Sequence, residues 1–448
     1  MGITIVQKSD LAIRKKNPKI ALVLAGGAVT GGGFKLGGLK ALDDFLVNRK
    51  TTEFDTYVGL SAGAVLAAPL AAGVSPAEMV KSLDGKSTQF TRLRAIDFYS
   101  PNFADFVARP AKFALDLLLY FPGTISKVVR ELPGLTRALE EPLANVWRQP
   151  DLTNLQAVLA PIGALLVAKR EEFPFILDYV PSGLFDNSRI EGYLRRNLEA
   201  AGIPNDFREL YRATKKELYI GSMNLDTAER VVFGHDEDAS VTVSEAVQAS
   251  TALPGFYKPA RINGIDYVDG GVRRTANIDV AIEHGADLVI CYNPFRPFSN
   301  RVRRVEKNGH YHTEGEFMAE RGLLAVINQV FRTLLHSRLQ YGLRQYQDDP
   351  NFRGDIVVIE PKETDLHFFQ LNALAYWERI RAAHYGYLSV NASIQQNYEL
   401  IKQILESYGI LMTRRQVRAG VERMRDSSIE EASSVLTDEI PSRNLSVA

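Results

Sequence analysis

The chain has 448 residues, with 53 basic and 53 acidic side chains and therefore no formal net charge. Apolar residues make up 46% and charged residues 24%, which is usual for a globular protein and excludes a disordered or collagen-like chain. The balanced charge gives no overall attraction to nucleic acid, and the single cysteine, Cys291, excludes an intrachain disulfide framework and a cysteine-rich zinc site.

Residues 1–18 are polar and predict a flexible N-terminal arm. They contain no apolar core followed by a small-residue cleavage site, as a secretory signal would. The most apolar stretches of the chain are shorter than the ~20 residues that span a bilayer. We therefore expect a soluble, cytoplasmic protein whose membrane contacts, if it makes any, are peripheral.

The chain then alternates between short apolar runs and helical patterns. The run at 19–25 precedes a glycine-rich loop and a helical pattern, and the run at 55–60 leads into an alanine-rich helix. Further β-branched runs lie at 217–222, 229–234, 287–292 and 355–360. Because these runs are apolar on consecutive residues, they predict strands covered on both faces. The sequence thus predicts an α/β fold, with a three-layer α/β/α arrangement and a mostly parallel central sheet.

The alternation of apolar runs and helical patterns is interrupted twice along the chain, and these interruptions set the expected domain boundaries. Residues 88–215 predict an inserted helical region within a main domain at 19–325. Residues 326–424 predict a mainly helical C-terminal extension, and residues 425–448, rich in Ser, Asp and Glu, a disordered tail.

The segment Gly59-Leu60-Ser61-Ala62-Gly63 lies between a predicted strand and a predicted helix. A G-x-S-x-G at such a junction forms a nucleophile elbow, in which two glycines permit a sharp turn that exposes the serine hydroxyl. The alternative is a tight turn with only a structural role. The predicted junction favours the elbow.

An elbow serine needs backbone donors for the oxyanion of an acyl-transfer reaction. Ala62 directly follows the serine, and the loop after the first strand offers Gly26 and Gly27, with Gly31, Gly32 and Gly33 as an alternative register. Phosphate binding is a competing interpretation of this loop. It is disfavoured because the loop has no G-x-G-x-x-G pattern and no glycine followed by Lys and then Ser or Thr.

The elbow serine also needs a base. Asp269 ends a short apolar run and precedes Gly270 and Gly271, so its carboxylate could point into a cleft. The spacing alone favours an ordinary Asp-Gly turn over a catalytic base.

Four blocks of the sequence, taken together, resemble patatin-like phospholipases. They are ALVLAGG with the helix containing GGLKAL, GLSAG, SMNLDTAERVVFG at 222–234, and SEAVQASTALPGFYKPARINGIDYVDGG at 244–271. The resemblance covers about residues 19–90 and 180–300. It implies a serine lipid acyl hydrolase with a catalytic dyad, in which Ser61 is the nucleophile and Asp269 the base, and it implies no cofactor. Gly59, Gly63, Gly270 and Gly271 complete its two motifs.

The glycine loop departs from the pattern of the family it resembles, which is usually G-G-G-x-[RK]-G. Thr30 stands where the basic residue would be, and the second register, from Gly31 to Lys35, restores a basic residue five positions further from the strand. We favour Gly26 and Gly27 as oxyanion donors because the end of the strand fixes their location.

Two alternatives involve histidine. Ser61, Asp269 and His284 would follow the chain order of a Ser-Asp-His triad, but His284 stands near the end of a predicted helix, where a C-terminal cap is expected. His310 and His312 have a spacing that suits a metal, but no carboxylate or cysteine pattern completes a site. We expect a polar loop there and no metal.

The resemblance implies hydrolysis of fatty-acyl esters of phospholipids or related lipids. The competing hypotheses are an esterase or acyltransferase acting on a non-phospholipid ester, and a non-catalytic lipid-binding protein of the same fold. The aromatic stretch at 103–121, followed by Lys127, Arg130 and Arg137, is interpreted as core, as a cap over an acyl channel, or as a peripheral membrane contact through 103–137. The sequence leaves head-group preference and oligomeric state open.

Overall fold

The computed structural model describes residues 2–102, 105–106, 180–307, 310–425 and 434–438, together with a few residues between 139 and 158. For residues 303–307 and 310–314 the structure describes the backbone but not the side chains.

A nine-stranded sheet forms the centre of the molecule. The strands in the described part of the chain are β1 (Ile3–Gln7), β2 (Ile20–Leu24), β3 (Thr56–Leu60), β4 (Ser100–Pro101), β5 (Gly183–Asp186), β6 (Glu217–Asn224), β7 (Arg230–Gly234), β8 (Gly255–Tyr257), β9 (Ala260–Ile262), β10 (Ile265–Asp269), β11 (Leu288–Tyr292), β12 (Arg303–Lys307), β13 (His310–Glu314) and β14 (Asp355–Ile359). The order in the central sheet is β1-β14-β11-β2-β3-β6-β10-β9, with β7 also paired to β6.

The five strands from β14 to β6 are parallel, and the strands at both edges are antiparallel. β4, β5 and β8 form a separate three-stranded sheet, and β12 pairs with β13 as a hairpin. Residues 310–314, expected as a polar loop, are therefore a strand.

Helices pack on both faces of the central sheet. Those described are α1 (Ala28–Phe45), α2 (Ala62–Ala71), α3 (Pro76–Asp84), α4 (Ala95–Phe98), α5 (Ser188–Ala200), α6 (Phe207–Thr214), α7 (Val243–Thr251), α8 (Ile278–Glu283), α9 (Leu323–Asp348), α10 (Leu366–Phe369), α11 (Arg379–Gln396), α12 (Tyr398–Ser407) and α13 (Arg415–Arg425).

Alternate residues of the buried strands enter two different cores, as a sheet covered on both sides requires. Ile20, Leu22 and Leu24 of β2 join the core beneath α1, α2 and α11, whereas Ala21 and Val23 join the core beneath α8 and α9. The predicted three-layer α/β/α fold is confirmed. In the part of the chain that the structure describes, no helix is long and apolar enough to cross a bilayer.

The expectation of a flexible arm over 1–18 is wrong for its first residues. Ile3–Gln7 form an edge strand antiparallel to β14, with Ile3 opposite Ile359. The Asp355 carboxylate accepts hydrogen bonds from the N–H groups of Lys8 and Ser9, at 2.8 and 3.0 Å. The strand partner lies some 350 positions along the chain, so local composition gave no sign of it.

The predicted boundaries of the insertion and the extension also need correction. Residues 183–214, placed in the insertion at 88–215, pair with the main body through β5 and β8 and bury Leu194 and Phe207 in its core. The segment 326–424 is no appendage, because it supplies β14, which lies between β1 and β11 in the central sheet, and α11, which packs against α1. Within the predicted disordered tail, residues 434–437 are helical.

Candidate active site

Ser61 occupies a sharp turn between β3 and α2. Its φ and ψ are 53° and −127°, a backbone conformation that few non-glycine residues adopt and that is often found at functional sites. Its N–H donates to the Ser250 hydroxyl at 2.8 Å, and that hydroxyl donates to the Gly221 carbonyl at 2.6 Å. Ser250 of α7 therefore ties the elbow to β6, a role that sequence reasoning missed although Ser250 lies within the fourth block.

Gly59 and Gly63 allow the elbow to pack closely on the sheet. A Cβ at Gly63 would lie 2.0 Å from the Leu24 carbonyl oxygen, and a Cβ at Gly59 would lie 2.6 Å from the Ala64 Cα. Both separations are far below van der Waals contact. The two glycines of the G-x-S-x-G segment are therefore needed for α2 to approach β2 and β3.

Asp269 reaches Ser61 from the last position of β10. β10 pairs antiparallel with β6, with Asp269 opposite Ser222, and β6 lies beside β3. The Asp269 N–H donates to the Ala252 carbonyl at 2.9 Å, and the Gly271 N–H donates to Asp269 Oδ1 at 2.8 Å. The Ser61 side chain lies near enough to the same carboxylate to stabilise its charged form. The fold thus brings together two residues separated by more than 200 positions.

Burial governs the protonation of this carboxylate. Asp269 is 4% exposed, and the loss of hydration raises its pKa to about 6, against the lowering effects of the Ser61 hydroxyl, the Gly271 N–H and the charge of Lys35. A carboxylate in this environment is a stronger base than a solvated one and is still largely ionised above pH 6.

The turn between β2 and α1 borders Ser61. Gly27 has a φ of 137°, and α1 begins at Ala28. A Cβ placed on Gly26 would lie 3.3 Å from the Ser61 Cβ. The first turns of α1 and α2 both start at this place, and the N–H groups of a first helical turn have no acceptor in their own helix.

The alternative register from Gly31 to Gly33 does not form a loop. These three residues lie within α1, and the Gly31 N–H donates to the Gly27 carbonyl at 2.9 Å. The glycine-rich stretch was expected to remain a loop up to Gly33, but it becomes helical at Ala28, where the small residues let α1 pack closely against α11.

Lys35 is a second residue whose role the sequence analysis did not assign. It is buried in α1, and its ammonium donates to the carbonyl oxygens of Ala25 and Gly26, the latter at 2.8 Å. Among the described residues every peptide bond is trans. Because C=O and N–H point in opposite directions across a trans peptide, holding these two carbonyls directs the N–H groups of Gly26 and Gly27 away from Lys35. Burial lowers the pKa of Lys35 to about 7, although the Asp269 carboxylate raises it.

An apolar cavity of about 130 Å³ opens beside Ser61. Its walls come from α1, α2, α3, α5 and the segment around β8; they include Val65, Leu66, Met79, Leu93, Ile190, Leu194 and Phe256. Arg379 is the one charged residue among the described residues that line it, and its guanidinium donates to the Leu83 and Tyr376 carbonyls. The cavity fits a hydrocarbon chain better than a polar group.

The histidines considered in the sequence lie elsewhere. His284 caps the C-terminus of α8, as expected; its Nδ1 lies 2.8 Å from the Val280 carbonyl and its Nε2 lies 3.3 Å from Glu237. His310 and His312 belong to β13, and their side chains are not described. Among the described residues no group of three or more His, Cys, Asp or Glu side chains is placed to hold a metal. The stretch at 103–137 falls, except for residues 105 and 106, outside the described residues.

The chain is similar in sequence to known lipid hydrolases. A family model described as patatin-like phospholipase matches residues 22–282. A curated protein called probable lipid hydrolase 463L, from Invertebrate iridescent virus 6, is 25% identical over 104 residues, which are 23% of this chain and 36% of that protein.

Solved structures also match, at low scores. VipD from Legionella pneumophila is 18% identical with a TM-score of 0.30, and the match covers 67% of this chain and 54% of VipD. ExoU of Pseudomonas aeruginosa, in complex with SpcU, is 17% identical with a TM-score of 0.25, over 97% and 72% of the two chains. Human GIVD cytosolic phospholipase A2 is 11% identical with a TM-score of 0.27, over 89% and 61%. The chain spans about a third of the curated relative and about half of VipD, and TM-scores this low carry no argument.

Proposed function

The chain belongs to the patatin-like phospholipase family, whose model spans more than half of it, and we propose that it hydrolyses fatty-acyl esters of phospholipids or related lipids. In this proposal Ser61 is the nucleophile and Asp269 is the general base. The observation that carries it is the closeness of the Ser61 side chain to the buried Asp269 carboxylate, at an elbow that lines an apolar cavity.

The first half of the reaction forms an acyl-enzyme. Asp269 accepts the Ser61 proton while the Ser61 Oγ attacks the ester carbonyl, and a tetrahedral oxyanion develops. When this intermediate collapses, the bond to the leaving alcohol breaks, and Asp269 returns the proton to the alcohol oxygen. The environment of Asp269 suits both directions of transfer, because its pKa of about 6 lies nearer to neutral pH than that of a solvated carboxyl group.

The oxyanion is stabilised in this proposal by the N–H groups of Gly26, Gly27 and Ala62. Support comes from the position of the Gly26–Gly27 turn against Ser61 and from the two helices, α1 and α2, that begin there. Both helix N-termini favour a negative charge at this place. Lys35 acts on the turn as a positioning residue, since its hydrogen bonds to the Ala25 and Gly26 carbonyls set the direction of two of these donors.

The second half releases the fatty acid. A water molecule takes the place of the alcohol, Asp269 accepts its proton, and the resulting hydroxide attacks the acyl-enzyme carbonyl. The bond to Ser61 Oγ then breaks, and Asp269 returns the proton to the serine. The acyl chain lies in the apolar cavity during both steps. This explains why apolar side chains line the space beside the polar Ser61 and Asp269.

A substrate panel tests the proposal. Purified protein is assayed on phosphatidylcholine, lysophosphatidylcholine, and long-chain and short-chain p-nitrophenyl esters, beside Ser61→Ala. We expect release of free fatty acid by the wild type and background rates for the variant. Hydrolysis of the aryl esters but of neither phospholipid would favour the esterase alternative. Equal rates for the two proteins would rule out the proposed nucleophile.

A further inference from the structure

Helix α9 presents an apolar face to solvent. The apolar stripe of α9 consists of Leu323, Ile327, Val330, Phe331, Leu334 and Tyr341, whose exposed fractions lie between 38% and 69%. At 100° per residue these six side chains fall within one arc of about 100°.

The opposite side of the same helix already packs on the protein. Leu339 and Leu343 are buried in the core beneath α8 and α9, together with residues of β11 and β14. A helix at a protein surface normally turns polar residues outward. In α9 the solvent-facing side is apolar instead. An exposed apolar patch of this kind is typical of a surface that binds another protein or a membrane.

The stripe adjoins the site that holds Ser61 and Asp269. The Arg338 guanidinium donates to the Val272 carbonyl at 2.9 Å, and Val272, itself exposed, follows the Asp269-Gly270-Gly271 segment. The Arg332 guanidinium donates to the Pro294 carbonyl at 2.7 Å, and Pro294 packs against Gly27. Helix α9 therefore runs across the two loops that border the dyad and the glycine turn.

The middle of the stripe is bordered by basic residues. From Leu323 to Gln347 the sequence contains three arginines, of which Arg332 is buried, and the acidic residues Glu320 and Asp348 stand at the two ends of the stripe. Arg338 and Arg344 are exposed on α9, and Arg273 is exposed beside Val272. This combination of apolar side chains with a basic border complements a surface that has acyl chains beneath anionic head groups. A second copy of the chain is the alternative occupant of this surface, and the test below distinguishes it from a lipid surface.

We propose that the apolar stripe of α9 docks the protein on an anionic lipid surface, with the dyad facing that surface. The inference rests on the proposed function only in expecting a membrane to be the source of substrate. The surface itself is argued from the exposure, position and charge of α9.

The test is co-sedimentation of the full-length protein with phosphatidylcholine vesicles that contain or lack phosphatidylserine. We compare wild type, the double variant Phe331→Ser with Leu334→Ser, Arg344→Gln, and Leu400→Ser as a matched control, since Leu400 is equally an exposed helical leucine, on α12. The double variant should partition at least tenfold less onto the phosphatidylserine vesicles. Arg344→Gln should lose about fivefold on those vesicles alone, and Leu400→Ser should bind as wild type does.

Each of the remaining outcomes has a definite meaning. Hydrolysis of a short soluble ester should be the same in the double variant and the wild type, which also shows that the variant is folded. Equal vesicle binding by the double variant and wild type overturns the inference, as does a wild type that binds neither kind of vesicle. A wild-type dimer in sedimentation velocity that the double variant converts to monomer, with vesicle binding unchanged, assigns the stripe to a second copy instead. Vesicle binding that depends on the stripe, in a wild type without hydrolytic activity, contradicts the proposed function and leaves this inference standing.

Discussion

Replacing Lys35 with Met tests whether the buried ammonium directs the oxyanion donors. Methionine has a similar length and fits an apolar interior, but it cannot donate to the Ala25 and Gly26 carbonyls. The N–H groups of Gly26 and Gly27 then lose the constraint on their direction. Removing one oxyanion donor typically costs ~10²–10³ in kcat, or about 3–4 kcal/mol. Loosening two donors without removing either should lower kcat about a hundredfold and leave KM nearly unchanged.

The same substitution should shift the pH profile. The positive charge of Lys35 helps to hold the pKa of Asp269 down. Without that charge the carboxyl group binds its proton more readily, so its pKa rises. Because the base must be ionised, the acidic limb of kcat/KM should move to higher pH in Lys35→Met. A residue that only filled space in α1 would not move this limb.

Lys40→Met is the matched control, since Lys40 is buried five positions further along α1 and pairs with Asp44 at 2.5 Å. Its loss leaves Asp44 as a buried charge without its cation and should lower the free energy of unfolding by about 3–5 kcal/mol, with kcat per folded molecule unchanged. The assay is steady-state hydrolysis of a p-nitrophenyl ester across pH, with thermal melting in parallel. If Lys35→Met keeps both the kcat and the pH profile of the wild type, the positioning role is refuted.

Four further predictions follow from the site. Asp269→Asn should retain the fold by circular dichroism yet lose about three orders of magnitude or more in turnover, whereas His284→Ala should lose less than tenfold; comparable losses would favour a triad. For the wild type, kcat/KM should fall as the pH drops through about 6, because Asp269 must be ionised to accept the proton of Ser61; a profile flat to pH 4 would contradict this role. Met79→Trp should narrow the cavity and reduce hydrolysis of long-chain esters far more than that of short ones, with Met79→Leu near wild type on both; equal losses on both chain lengths would mean that the cavity does not hold the acyl chain. Gly63→Ala should lower both the melting temperature and kcat, since the added methyl would lie 2.0 Å from the Leu24 carbonyl; unchanged melting would show that α2 shifts freely.

The parallel strands and the elbow were predictable because their signals are local. Each buried strand is a continuous apolar run, and a strand followed by Gly-x-Ser-x-Gly and a small-residue helix describes one uninterrupted turn at Ser61. The pairing of Ser61 with Asp269 was suggested by family resemblance. The residues alone favoured an ordinary Asp-Gly turn at Asp269, since nothing local indicates that β10 lies beside β6.

Features that depend on distant partners were missed. β1 is a strand because it pairs with β14, which lies far along the chain. The role of Ser250 depends on its hydrogen bond from the Ser61 N–H, which no local pattern in the sequence indicates. Lys35 had a local sign, an isolated basic residue among glycines and apolar residues of a helix. Which carbonyls it would bind depends on where α1 starts, and the glycine-rich stretch predicts a start beyond Gly33 instead of at Ala28.

The most direct test of the central claim is labelling with a fluorophosphonate probe, which reacts covalently with an activated serine. The labelled protein is digested, and the modified peptide is identified by mass spectrometry, for wild type, Ser61→Ala and Asp269→Asn. The account predicts a single adduct on Ser61, no adduct in Ser61→Ala, and strongly slowed labelling in Asp269→Asn. An adduct on another serine, or labelling of Ser61 at the same rate without the Asp269 carboxylate, would contradict the proposed dyad.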